Sequence, residues 1–438
     1  MEKVIIIGGG LAGCESAWQI AKRKIPVEIY EMRPKVMTPV HKTGYLAELV
    51  CSNSLKSKEI TNASGLLKEE MRLLDSLILR VAEETQIPAG TSLAVDRELF
   101  ARRVEEILSS NPYVSIIREE IKEIPKEGIV IVATGPLTSD EFAKHLQDLL
   151  DTDFLYFYDA VSPIVLAESL DMRKLYFANR YGKGEEEVYL NAPMSREEYY
   201  RFVEELIKAD TVESHFPDEE RYFEGCLPIE VMAKRGVDTL RFGPMRPVGL
   251  PDPRTGKEPF AVVQLRPENK YKTMYSLVGF QTRLKWLEQK RIFRMIPGLE
   301  NAEFARYGVM HRNTYFYSPR FLEPTLQFKK DKRIFFAGQI IGVEGYMESA
   351  STGIIAGINA YRLITGKPLI TLPPETMIGA LIGYVTSPIS VKDFQPMNAN
   401  WGLMPPIEKR VKDKKLRNEI YAKRSLNTLS EIIKRFNI

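Results

Sequence analysis

The sequence predicts an α/β protein: a Rossmann-type nucleotide-binding domain carrying an inserted, mixed α/β domain. Three observations predict it. An apolar run, Val4 to Ile7, ends in the glycine-rich turn GGGLAG and enters a helical stretch, CESAWQIAKR. A second strand-like run, PVEIYE, ends on an acid, Glu31. Much later, RIFFAGQIIGVEGYMESASTGIIAGINAYR (333–362) repeats the order strand, glycine turn, helix. Buried parallel strands read as continuous apolar runs, and a βαβ unit sets a helix between two of them.

The first turn comprises Gly8, Gly9, Gly10, Leu11, Ala12 and Gly13, a G-x-G-x-x-G pattern. Gly8 permits the tight turn, Gly10 lets the backbone approach a pyrophosphate, and Gly13 allows close helix packing, so the helix N-terminus faces the phosphates. Glu31 stands where a ribose-binding carboxylate belongs. Apolar positions at helical spacing predict one continuous helix over 65–84 and a second over about 96–110. IVIVATGP (129–136) reads as a buried strand ending in a glycine turn. The middle, about 155–300, alternates short strand-like pieces (KLYFANRY, EVYLNAP, AVVQLRP) with a helix near 196–208. RFGPMRPVGLPDPRTGKEP (241–259) is dense in Pro, Gly and Arg, which favours a long ordered loop. These elements suggest a discontinuous nucleotide-binding domain, 1–155 and 301–438, with 156–300 inserted as a substrate domain.

The late segment points to the kind of nucleotide. FFAGQIIGVEGYMESASTGIIAGINA is similar to the second flavin motif of FAD-dependent enzymes, where a turn contacts the ribityl chain and a helix N-terminus points at the isoalloxazine ring. Gly338 and Gln339 occupy that turn, with Gln339 where many such enzymes carry Asp. The VATGP turn is typical of the same group, so a glutathione-reductase-like FAD-binding domain is expected. No second G-x-G-x-x-G follows a strand to hold a resident nicotinamide, so NADH or NADPH is expected only as a transient reductant.

Composition sets the class. With 438 residues, two domains are the first expectation. The start, MEKVIIIGGG, reads as a first strand rather than a signal peptide, and no apolar run approaches the roughly 20 residues of a membrane helix. Three well-separated cysteines argue against a disulfide framework and for a reducing cytoplasm. Four scattered histidines show no metal-ligand spacing. The formal charge is +3, yet Lys409 to Arg435 concentrates ten basic residues against three acids. Such a tail is either a solvated helix face or a surface for phosphates.

The cysteines differ in setting. Cys14 follows Gly13 on the first helical turn, where the nucleotide would cover it, and reads as a small packing residue. Cys51, in AELVCSNSLKS, and Cys226, in FEGCLPIEV, lie in polar or turn-rich stretches rather than in apolar periodic sequence. Each is an inert loop cysteine or a reactive one. A C-x-x-C redox pair is excluded by their separation, which disfavours a flavin disulfide reductase.

Together, GGGLAGCESA, ELVCSNSLKS, FEGCLPIEVMAKRG, RFGPMRPVGL, YGVMHRNTY and AGQIIGVEGYMESASTG resemble the bacterial folate- and FAD-dependent tRNA (uracil-5-)-methyltransferases, related to wobble-uridine-modifying flavoproteins. The resemblance runs from residue 1 to about 395. It implies conversion of a T-loop uridine of tRNA to ribothymidine, with methylenetetrahydrofolate as carbon donor and reduced FAD as hydride donor. It implies two catalytic cysteines: Cys226 as nucleophile and Cys51 as general acid/base. Thiolate addition to uracil C6 would make C5 nucleophilic toward the folate methylene, and a base would then remove the C5 proton. The inserted domain would bind tRNA, presenting its T-arm. No metal, no membrane and no obligate protein partner are implied.

Other residues invite two readings each. Tyr346, at the flavin segment, could stack on a pterin or a base, or belong to the core. His311, Arg312 and Asn313 could bind folate or line the cleft. Arg241, Arg246, Arg254 and Lys257 could contact phosphates or be surface charges on a stiff connector. The rival function is a wobble-uridine-modifying flavoprotein acting with a GTPase partner, a group of typically longer chains.

Overall fold

A computed structural model describes residues 3–152, 154–160, 162–182, 188–212, 227–388, 391, 394–408 and 411–438, without the side chains of 155–160 and 310–312. In the first part, β1 (Val4–Ile7), α1 (Leu11–Ala21) and β2 (Val27–Tyr30) are followed by β3 (Ser54–Ser57), α2 (Ala63–Leu73), α3 (Leu77–Glu84), β4 (Gln86–Ile87) and β5 (Ser92–Val95). Then come α4 (Arg97–Ser109), β6 (Val114–Ile117), β7 (Ile129–Val132) and α5 (Asp140–Leu150). The middle contains β8 (Leu155–Ala160), β9 (Ile164–Leu166), β10 (Tyr176–Phe177), β11 (Leu190–Met194), α6 (Arg196–Lys208) and α7 (Ile229–Lys234). It continues with β12 (Ala261–Pro267), β13 (Met274–Leu277), α8 (Trp286–Phe293), β14 (Phe304–Arg306) and β15 (Met310–Tyr315). The chain closes with β16 (Ile334–Phe336), α9 (Tyr346–Ile364), α10 (Met377–Thr386) and α11 (Lys414–Phe436).

The all-apolar strand β1 is buried at every position because it has parallel neighbours on both sides, β2 and β7. The full order is β16-β7-β1-β2-β6, a five-stranded parallel sheet. Strand β16, some 200 positions after β7, thus completes the sheet begun at the N-terminus. Helix α9 packs along α1 so closely that a Cβ at Gly353 would lie 2.2 Å from the Ala12 carbonyl. This is the doubly covered α/β arrangement expected from the sequence.

A second sheet, β10-β11-β12-β13-β9-β14, is antiparallel in every pairing. It carries its own apolar core, including Tyr199, Phe202, Phe280 and Phe293, separate from the core under the parallel sheet. Strands β8 and β15 pair with each other, from Leu155–Tyr315 to Ala160–Met310, and form the two-stranded passage between these halves.

One sequence expectation fails. The stretch 65–84 is two helices, not one. Asp75 takes a left-handed conformation (φ 55°), and Ser76 caps α3 by accepting from the Leu79 N–H. The buried Glu15 carboxylate accepts from Leu77 N and Ile78 N, so the start of α3 is satisfied from α1. Helical periodicity continues across the break because both segments bury the same kind of face.

Candidate active site

The loop between β1 and α1 sits at the C-terminal ends of the parallel strands, where ligands of such sheets bind. Gly8 has φ 106°, and a Cβ there would lie 2.5 Å from the Ala133 carbonyl of the neighbouring strand end. A Cβ on Gly13 would lie 2.0 Å from the Gly8 carbonyl, so only glycine lets helix and turn approach. A Cβ on Gly10, in contrast, would meet nothing within 4 Å. That open side belongs to a cleft lined by Gly8, Gly9, Gly10, Leu11, Ala12 and Glu31, together with Gly338, Gln339 and Tyr346. Turn, carboxylate and late glycine segment therefore meet in one cleft.

Glu31 is buried. Its carboxylate accepts from Gly9 N at 3.0 Å and from Arg33 N, Nε and Nη2. Burial alone would raise its pKa, but the Arg33 hydrogen bond and charge outweigh it, and the net direction is down. All four acceptor directions are in use, so a ribose hydroxyl arriving here shares an oxygen with Arg33. These features fit a dinucleotide such as FAD: open backbone at Gly10, an ionised carboxylate at the strand end, and a cleft lined by both glycine segments.

Cys14 lies under the same turn, fully buried, its Sγ 3.4 Å from the Gly9 carbonyl. Burial drives its thiol pKa upward, so it is a packing residue. Gln339 donates to the Glu344 carboxylate, and Gly338 N donates to Thr352 Oγ1 at 2.8 Å.

A second cavity adjoins the first and shares Val50, Pro136, Gln339 and Tyr346 with it. Cys51, Lys56, Asn313 and Glu348 also line it. Cys51 is half-buried, and its N–H donates to Tyr346 Oη at 2.8 Å. Tyr346 is thus half-buried, lining both cavities while packing against the main core.

The structure separates the other candidates. Cys226 lies outside the described residues; the chain resumes at Leu227, and Glu230 in α7 accepts from Thr282 Oγ1 and Arg283 N. His311 pairs in register with Asp159 in the connecting ladder, and its side chain lies outside the described part of the structure. Arg246 is exposed and lines neither cavity. Arg254 is taken up by Asp252 (2.7 Å), and Arg241 by the Phe260 carbonyl and ring. Those two arginines shape the 241–259 loop.

Sequence reasoning missed three arginines around Cys51. Arg97 donates to the carbonyls of Leu49 (2.8 Å) and Cys51 (3.3 Å), Arg306 to that of Val50 (2.9 Å), and Arg266 to Ser52 Oγ (2.9 Å). Glu268, buried, pairs with Arg97 at 2.7 Å. Their positions, 97, 266 and 306, carry no common motif, so only the fold reveals the group.

Among the described residues no group of His, Cys, Asp and Glu is arranged to hold a metal, and no helix is long and apolar enough to cross a membrane.

Comparison with known proteins agrees with this geometry. The family model described as "Glucose inhibited division protein A" matches residues 3–368. The chain is 74% identical to "Methylenetetrahydrofolate--tRNA-(uracil-5-)-methyltransferase TrmFO" of Dictyoglomus thermophilum, and 56% identical to the protein of the same name from Acetivibrio thermocellus, over 100% of each chain. Among solved structures, Aquifex aeolicus GidA superposes with a TM-score of 0.68 at 20% identity, covering 99% of this chain and 76% of that one. That likeness establishes the fold. With full-length identity well above half, the chain belongs to the methylenetetrahydrofolate–tRNA-(uracil-5-)-methyltransferases, within the wider glucose-inhibited division protein A family.

Proposed function

We propose that this protein methylates a T-loop uridine of tRNA at C5, giving ribothymidine, with methylenetetrahydrofolate as carbon donor. The observation that carries this reading is full-length identity to methyltransferases of that name, joined to a cysteine-lined cavity that opens onto the dinucleotide cleft. The rival wobble-uridine reading rests on the broader family alone.

FAD, when bound, supplies the hydride that completes the methyl group. Gly8 to Gly13 and Glu31 would hold its pyrophosphate and ribose, and Gly338 and Gln339 would face its far end. NADH or NADPH would visit transiently as reductant. Cys226 would add through Sγ to uracil C6, C5 would bond to the folate methylene, and Cys51 would remove the C5 proton as the methylene–nitrogen bond breaks, releasing tetrahydrofolate and leaving an exocyclic methylene to accept the hydride. Expulsion of the Cys226 sulfur frees the product. Tyr346, His311 and Asn313 are the candidates for facing the folate or the base. The extruded uridine costs a few kcal/mol to flip, which phosphate contacts offset. Exposed Arg246 and the exposed basic side chains of α11, among them Lys414, Lys415 and Lys423, suit that role. We take the β8–β15 ladder, residues 155–160 and 310–315, as the border between an FAD-binding unit and an inserted tRNA-binding unit, the second crossing lying about ten residues beyond 300.

The test is incubation of the purified protein with unmodified tRNA, methylenetetrahydrofolate and NAD(P)H, followed by mass spectrometry for ribothymidine. Cys226→Ala should abolish the product while the flavin stays bound, and Cys51→Ala should trap a protein–RNA adduct. Ribothymidine made equally well by Cys226→Ala would overturn the assignment.

A further inference from the structure

We propose that Arg97, Arg266 and Arg306 form a cationic clamp that fixes the Cys51 loop and keeps the Cys51 sulfur as a thiolate. The proposal rests on the reading of Cys51 as a proton-transferring residue and names what prepares it. The arginines are positioning residues.

The clamp closes on consecutive residues. The carbonyls of Leu49, Val50 and Cys51 and the hydroxyl of Ser52 all turn toward guanidinium groups. The Cys51 N–H is tied on the opposite side to Tyr346, at the start of α9. With both backbone polar groups of Cys51 held, the direction of its side chain is set, and the loop lines the cavity beside the dinucleotide cleft. Helix α4 brings Arg97, whereas Arg266 and Arg306 come from β12 and β14 of the second sheet.

The charge is unbalanced in favour of an anion. Glu268 pairs with Arg97 at 2.7 Å and stands 4.0 Å from Arg266. Among the described residues, Arg306 has no carboxylate at ion-pair distance, and its Nε is buried without a hydrogen-bond partner. Burial lowers the Arg306 pKa, Arg97 repels it further, and the nearby Cys51 and Tyr346 act in the opposite, stabilising direction. On the cavity side, Lys56 is engaged by Glu348 at 2.9 Å, and Glu344, held by the neutral amide of Gln339, is a further carboxylate of the lining. Three guanidiniums against one buried carboxylate therefore face the loop, and an arginine neighbour favours the ionised thiol. Arginine suits the task because it stays protonated when desolvated, where lysine would not.

The experiment reads the sulfur directly. In the full-length, FAD-loaded Cys226→Ser protein, Cys51 is the accessible thiol, since Cys14 is buried. Its alkylation by iodoacetamide is followed against pH, with the adduct located by mass spectrometry. Arg306→Gln should raise the midpoint by about one pH unit, which is about tenfold slower labelling at pH values below both midpoints. Arg306→Lys should restore the shift only in part, because a desolvated lysine gives up its proton. Glu268→Gln, which removes the negative charge and keeps an acceptor, should move the midpoint down, and it decides the matter if Arg306→Gln fails to fold. An unchanged midpoint in Glu268→Gln, or in a folded Arg306→Gln, overturns the proposal. Methylation by Cys51→Ala tests the role of the sulfur separately, so the two failures are distinguishable.

Discussion

The main-chain N–H of Cys51 donates to the phenolic oxygen of Tyr346 at 2.8 Å, joining residues 295 positions apart. One is on the loop before β3, the other opens α9, and both line the cavity next to the nucleotide cleft. Tyr346→Phe keeps the ring and removes the acceptor. An unsatisfied N–H costs about 1–3 kcal/mol, so methylation should fall about tenfold while the flavin spectrum is unchanged. Tyr346→Ala should be worse, if the ring also stacks on a ligand. Single-turnover ribothymidine formation, measured beside flavin absorbance, checks both.

Two glycines of the first turn should respond differently to the same substitution. Gly13→Ala drives a Cβ into the Gly8 carbonyl and should lower the melting temperature of the apo-protein. Gly10→Ala has room in the protein itself, so it should cost about 1 kcal/mol of stability or less. Its methyl would occupy space needed by the pyrophosphate, and FAD affinity should drop by at least about tenfold. Thermal unfolding without ligand and flavin titration separate the two effects.

Stability should depend on pH through Glu70. Its fully buried carboxylate accepts from Met377 N (2.6 Å), Ile378 N (2.8 Å) and Ser425 Oγ, joining α2 to α10 and α11. Burial raises its pKa to about 7, with those hydrogen bonds acting against the rise. The folded protein then binds more protons than the unfolded chain between the ordinary carboxylate range and pH 7. Stability from this group is therefore greatest at acid pH and declines as pH rises toward 7, by about 3 kcal/mol at most. Urea unfolding at pH 5, 6, 7 and 8 should show that slope, and Glu70→Gln should reduce it without abolishing it, because burial also raises the Glu15 carboxyl to about 7.

Replacement of Lys412, Lys414 and Lys415 by Ala should weaken tRNA binding in a salt-dependent way. These side chains are exposed at the start of α11, whose other face packs through Asn418, Tyr421, Ser425 and Leu429. For every phosphate left without its lysine, the slope of log affinity against log salt should shrink by about 0.7–0.9. A filter-binding series from 50 to about 300 mM salt reads the slope, and an unchanged slope would assign the tail a packing role alone.

The nucleotide half was legible in the sequence because its signals are local. Gly8, Gly10, Gly13 and Glu31 lie within one βαβ unit, and their meaning follows from backbone geometry over a few residues. The break at Asp75 and Ser76 was hidden because its reason lies elsewhere, in the Glu15 carboxylate of α1. The second sheet was visible only as short strand-like pieces, since β10 has two residues and β9 and β14 three. Cys51 stood out from its polar surroundings, but its arginine neighbours come from three distant positions. Long-range pairing, which no local pattern encodes, assembled the site.

The Ala160–Met310 pair has an evolutionary reading. At that rung the chain leaves the parallel-sheet half and returns to it, while the Arg97–Glu268 pair and the contacts of Arg266 and Arg306 with Ser52 and Val50 tie the part between back to its host. A chain that leaves and re-enters at one rung can carry a longer or shorter insertion without shifting a strand of the host sheet. A nucleotide-binding scaffold can in this way acquire a new macromolecular clientele without rebuilding its foundations.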